Sequence, residues 1–86
     1  MSGAEQAMNY DLAIDIINLM KMMASKKKAN AKSEEERVAL DEKIGMYCYE
    51  EGVLTGRNGD ELARLSLYDK VFNLYSPIVK QVYASL

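Results

Sequence analysis

The sequence predicts an all-α domain, a three-helix up-down-up bundle that comprises residues 1–86. Three observations lead to this fold class. Apolar residues recur every three or four positions in three separate stretches, which is the spacing of one face of a helix. Capping residues and glycines stand at the ends of these stretches. The chain also lacks alternating apolar runs joined by a hairpin turn, which is the pattern of β-strands.

The first helix is predicted to run from about Asn9, or earlier, to about Lys27. Its apolar stripe is broad. Leu12, Ile16, Leu19 and Met23 have spacings of four, three and four, and beside them lie Ala13, Ile17, Met20 and Ala24. Acidic residues near the start and three lysines near the end follow the order that complements the helix dipole. Met8 is an alternative start of the native chain, which would make residues 1–7 foreign to it.

The second helix is predicted to begin at Ser33, which forms the capping-box pattern S-x-x-E with Glu36. Its core face has a polar gap at Glu51 and otherwise consists of Leu40, Ile44, Tyr47 and Leu54. The helix should end near Thr55, because Gly56 is well placed as the C-terminal glycine.

The third helix is predicted to start after Asn58 or Asp60 as the cap and to continue to the end of the chain. It carries two neighbouring apolar stripes. The first consists of Leu65, Tyr68, Phe72, Tyr75, Val79, Val82 and Leu86. The second consists of Leu67, Val71, Leu74 and Ile78. Two stripes are more than one bundle core needs, so this helix is either deeply buried or faces a partner.

Pro77 lies inside the third helix, where a proline removes one backbone hydrogen bond and clashes with the preceding turn. We therefore expect a kink near residues 73–76. Because the apolar spacing continues beyond the proline, a kinked helix is the preferred interpretation. The alternative is a short fourth helix with Ser76 as its cap and Pro77 as its first residue.

Three small residues of the second helix, Gly45, Cys48 and Gly52, share one face at spacings of three and four. Two glycines inside a helix cost roughly 2 kcal/mol relative to alanine, unless close packing offsets the loss. The sequence predicts helix packing at this stripe, with Cys48 as a small core residue. A flexible hinge or a notch for a partner is the alternative interpretation.

Composition excludes several classes of function. The chain has no histidine and one cysteine, so the usual zinc sites, the His-based catalytic triads and an internal disulfide are absent. The apolar stretch from residue 12 to 24 is interrupted by polar residues and is shorter than the roughly 20 residues of a membrane span. No secretory signal pattern opens the sequence. We expect a non-enzymatic cytoplasmic protein without cofactor, metal or membrane partner.

The first functional hypothesis is a small helical protein-interaction module that self-associates, most simply as a homodimer. Its expected interaction residues lie on the third helix and are Tyr68, Phe72, Tyr75 and Val79. The alternative is a nucleic-acid-associated regulator that uses the basic connector from Lys26 to Lys32. A formal net charge of −2 argues against nucleic acid as the partner, because no overall positive field would attract it.

Overall fold

The chain folds into an all-α structure, as predicted. A computed structural model describes residues 3–85, and it describes the side chains of residues 9–85. Helix α1 is followed by α2 and then by a third helix in three pieces, and no strand occurs among the described residues. The bounds are α1 Gly3–Ala29, α2 Glu34–Leu54, α3 Glu61–Lys70, a π segment Val71–Tyr75 and α4 Ser76–Ala84.

Both ends of α2 lie where the capping residues place them. The amide of Glu36 donates to Oγ of Ser33 at 3.1 Å, and the helix ends at Leu54. Gly56 follows with φ +86°, a left-handed conformation that glycine adopts without steric cost. Helix α1 continues to Ala29, two residues beyond the predicted end. Leu86 and residues 1–2, which the sequence predictions also cover, lie outside the described residues.

The predicted up-down-up order of the helices agrees with their contacts. Two ion pairs, Lys21 with Glu51 and Lys28 with Asp41, join α1 to α2 and show that these helices run antiparallel. Asp60 caps α3, since its Oδ1 accepts from the amide of Ala63 at 2.9 Å. The third helix then returns along α2 and also packs against α1 through the π segment and α4.

The core lies between the three helices. Ile17, Leu54 and Val71 are its largest fully buried side chains. On α1 the predicted broad stripe faces the core, except that Leu12 is half exposed. The buried residues of that helix are Ala13, Ile16, Ile17, Met20 and Ala24.

The sequence predicts a kink near residues 73–76, and the structure has a π turn at this part of the third helix. The amide of Ser76 donates to the carbonyl of Val71, five residues earlier, instead of four. The backbone stays helical through Tyr75 and Ser76, and no side chain caps α4. One continuous helix, rather than a separate fourth helix, is therefore present.

Candidate functional site

The third helix exposes more apolar surface than the other two. It carries six of the eleven large hydrophobic side chains that are exposed among the described residues, whereas α1 carries two and α2 three. The six are Leu62, Leu65, Leu74, Ile78, Val82 and Tyr83. Leu74, Ile78 and Val82 follow one another at intervals of four, so they lie on one side of the helix. These three residues are called the outer face below.

The structure places the four expected interaction residues largely inside the chain. Tyr75 is only 3% exposed and Val79 only 7% exposed, and both belong to the core. Tyr68 and Phe72 are partly buried against that core. Their rings are stacked, with centroids 6.2 Å apart and an angle of 6° between the ring planes. Tyr75 and Val79 therefore cannot form the seam with a partner in this conformation. The surplus apolar stripe exists, but it is the outer face.

The π turn explains why the stripes differ from the expectation. The buried residues of the third helix are Leu67, Val71, Tyr75 and Val79, each four positions after the last. In a regular α-helix a repeat of four drifts around the axis by about 40° at each step. The wider π turn takes up one additional residue and returns Tyr75 and Val79 to the core side.

The small-residue stripe on α2 does not pack against another helix of this chain, so that expectation is wrong. Gly45 is exposed, and a Cβ built there would have nothing within 4 Å. Cys48 is also exposed. Gly52 is buried, but its close neighbour is the following turn: a Cβ at Gly52 would lie 2.2 Å from Nδ2 of Asn58. That Nδ2 donates to the carbonyl of Tyr49 at 3.2 Å.

The two glycines should therefore respond in opposite ways to alanine. Gly52→Ala displaces the Asn58 side chain and its hydrogen bond, and we expect a loss of roughly 1 to 2 kcal/mol in the free energy of unfolding. Gly45→Ala, the matched control, meets open space and should stabilise the helix by up to about 1 kcal/mol. Urea denaturation measures both variants. Equal midpoints would show that Asn58 moves aside without cost.

A buried polar cluster joins α2 to the π segment. The Glu50 side chain is 9% exposed, and both of its oxygens accept hydrogen bonds from the third helix. Nζ of Lys70 lies 2.7 Å from Oε2, and the hydroxyl of Tyr75 donates to Oε1 at 2.7 Å. The Tyr75 ring also meets the ring of Tyr47 edge to face, with centroids 5.7 Å apart. We call Glu50, Lys70 and Tyr75 the Glu50 cluster.

Burial and pairing change the acidity of this cluster. Burial raises the pKa of Tyr75 to about 12, because the phenolate would lose its hydration. Burial alone lowers the pKa of Lys70. The hydrogen bonds and charge interactions with Glu50 and Tyr75 together raise it by a larger amount, so the net effect is a raised pKa. Lys70 therefore stays charged and Tyr75 stays neutral at physiological pH. Both oxygens of Glu50 have partners within the chain, so the cluster links α2 to the third helix.

Sequence reasoning missed the Glu50 cluster. The predicted core face of α2 had its polar gap at Glu51, the neighbouring residue. In the structure Glu51 is partly exposed and pairs with Lys21 at 2.8 Å. Glu50 lies three positions after Tyr47 and four before Leu54, and this helical spacing was the available signal.

The basic connector forms one end of the bundle. Lys26, Lys27 and Lys32 are exposed, whereas Lys28 is partly buried and pairs with Asp41. The acidic residues 34–36 directly follow and offset the positive charge. A nucleic-acid role for this connector stays a prediction.

In residues 9–85 no group of three or more His, Cys, Asp or Glu side chains is arranged to hold a metal ion. None of the helices in the described part of the chain is long and apolar enough to cross a membrane.

Comparison with protein-family models, with curated proteins and with solved structures found no match for this chain.

Proposed function

We propose that the protein is a non-catalytic helical interaction module that binds another protein through the outer face of its third helix. The observation that supports this proposal is the concentration of exposed apolar side chains on that helix, where Leu74 is 53% exposed. Single exposed hydrophobic residues are ordinary on protein surfaces, but a row of them on one helix face is typical of an interaction site.

A second copy of the chain is the simplest occupant, because one gene product then suffices. Two copies of the outer face can meet across a twofold axis, where the same surface is used by both subunits. Complete burial of an aliphatic side chain contributes about 1.5 to 3 kcal/mol, so three half-exposed residues contribute roughly 2 to 4 kcal/mol per chain. A gain of this size favours a weak, reversible dimer.

A cytoplasmic location belongs to the same proposal. Cys48 is free and exposed, and the chain contains no other cysteine. Exposed single thiols are stable in compartments that keep thiols reduced, whereas secreted small domains commonly use paired cysteines.

Sedimentation equilibrium tests the proposal. We expect the average mass of the wild-type protein to rise above the 9.7 kDa of one chain as the concentration increases from about 10 µM to about 1 mM. Leu74→Glu should abolish this rise, since it places a charge at the most exposed residue of the outer face. Because Leu74 is exposed, the fold should tolerate this substitution.

Met22→Glu is the matched control, because Met22 is 54% exposed but lies on α1. This variant should associate as the wild-type protein does. A wild-type mass of one chain at every concentration would refute self-association, and equal effects of both variants would refute the outer face as its site.

A further inference from the structure

Two residues that lie five positions apart on the third helix bind the same carboxylate. Lys70 and Tyr75 each place a donor 2.7 Å from an oxygen of Glu50, and Nζ of Lys70 also lies 5.3 Å from the centre of the Tyr75 ring. In an α-helix such residues point about 140° away from each other. In a π turn, where the hydrogen bond joins residues five apart, they approach one face. The bonds to Glu50 therefore favour the π turn.

The part of the third helix after Val71 can face the core in two rotational positions, which are called registers below. The helix carries a complete apolar stripe for each of them. With the π turn, Leu67 and Val71 are followed on the core side by Tyr75 and Val79. In an uninterrupted α-helix, the same two residues would be followed at spacings of three, four and four. The residues at those positions are Leu74, Ile78 and Val82. All three are apolar, so they are suited to fill the same core.

Pro77 opposes the uninterrupted α-helix. In that conformation residue 77 would have to donate its amide hydrogen to the carbonyl of Asn73, but proline has none and its ring clashes with that carbonyl. With the π turn, the bond from Ser76 to Val71 completes the segment just before the proline. Pro77 on α4 and Glu50 on α2 thus both favour the register with the π turn.

We infer that the third helix is a two-register element, held in its π register by the Glu50 cluster and by Pro77. Without these constraints the π turn becomes α-helical, and α4 rotates by roughly the 100° that one residue subtends. The outer face then turns into the core, and Tyr75 and Val79 turn outward. Two packings of one sequence that differ by a few kcal/mol form a conformational switch. This inference does not depend on the proposed self-association.

Thiol labelling distinguishes the two registers. Single cysteines are introduced as Ile78→Cys or Val79→Cys in a Cys48→Ser background, at a dilution where the chain sediments as a monomer. Ile78 is 37% exposed and Val79 is 7% exposed, so the cysteine at 78 should react about fivefold faster. In a protein that also carries Glu50→Ala and Pro77→Ala, this order should reverse. With Pro77→Ala alone, the Glu50 cluster should preserve the original order.

A folded double variant that keeps the original order would overturn the inference. Rapid labelling at both positions would also overturn it, because that result means local unfolding of α4 instead of a second register. Should the double variant fail to fold, deletion of Asn73 together with Pro77→Ala provides the test. The deletion removes the additional residue of the π turn, so Tyr75 and Val79 stay on the core side of a regular α-helix. In this variant the cysteine at position 78 should again react faster than the cysteine at position 79. The opposite order would refute the inference that the π turn takes up one additional residue.

Discussion

Replacing Glu50 with alanine is expected to lower the free energy of unfolding by roughly 2 to 4 kcal/mol. The substitution removes two short hydrogen bonds, one of them to an ammonium group. It also leaves the Tyr75 hydroxyl in the core without its acceptor. Domains of this size are stable by only about 5 to 15 kcal/mol, so the loss is a large part of the total. Urea denaturation at neutral pH measures the change.

Glu51→Ala is the matched control for this experiment. Glu51 is adjacent in sequence and also forms an ion pair, with Lys21, but both side chains are about 30% exposed. Ion pairs in contact with water contribute about 0 to 1 kcal/mol, so the control should change stability by no more than that. A loss of no more than about 1 kcal/mol for Glu50→Ala as well would mean that the Glu50 cluster is hydrated in solution and contributes little to the core.

Helix ends were predictable from the sequence because their signals are local. Ser33 and Asp60 accept hydrogen bonds from amides only three residues ahead, and Gly56 adopts its left-handed conformation in the turn that it forms itself. Such interactions depend on a few neighbouring residues and hardly on the remainder of the fold. The order and number of the helices followed from these signals.

The register of the third helix could not be predicted in the same way. Both apolar stripes satisfy helical spacing, and Pro77 indicates an interruption without fixing its geometry. The choice depends on Glu50, which is 20 residues from Lys70 and 25 from Tyr75 in sequence. An interaction between residues so far apart in sequence appears only once α2 and the third helix pack together. For this reason the expected interaction residues included Tyr75 and Val79, which belong to the core.

The exposed position of Gly45 could have been recognised from helix geometry. The predicted core stripe of the same helix, Leu40, Ile44, Tyr47 and Leu54, is centred roughly 145° around the axis from Gly45. A stripe of small residues shows which residues share a face, but not that the face points inward. Large apolar residues determine the inward side, because they bury more surface.

Stability is also expected to fall as the pH rises from about 10 to about 12, by up to roughly 2 to 3 kcal/mol through Tyr75 alone. Burial raises the pKa of Tyr75 from 10.0 to about 12. In this interval the unfolded tyrosine has released its proton and the folded one has not. The folded state then binds more protons, so a rise in pH favours unfolding. Lys21 and Lys70, whose pKa values are also raised, add to the same trend.

Tyr75→Phe separates the contribution of Tyr75 from those of the other groups. At neutral pH this variant should be less stable than the wild-type protein, since the Glu50 oxygen loses its hydroxyl donor. Between about pH 10 and 12 its stability should decrease less steeply, because the phenylalanine has no proton to release. Urea denaturation at a series of alkaline pH values measures both slopes. An unchanged slope would assign the alkaline loss to the other groups whose pKa values are raised, which are Tyr47, Tyr68, Lys21 and Lys70.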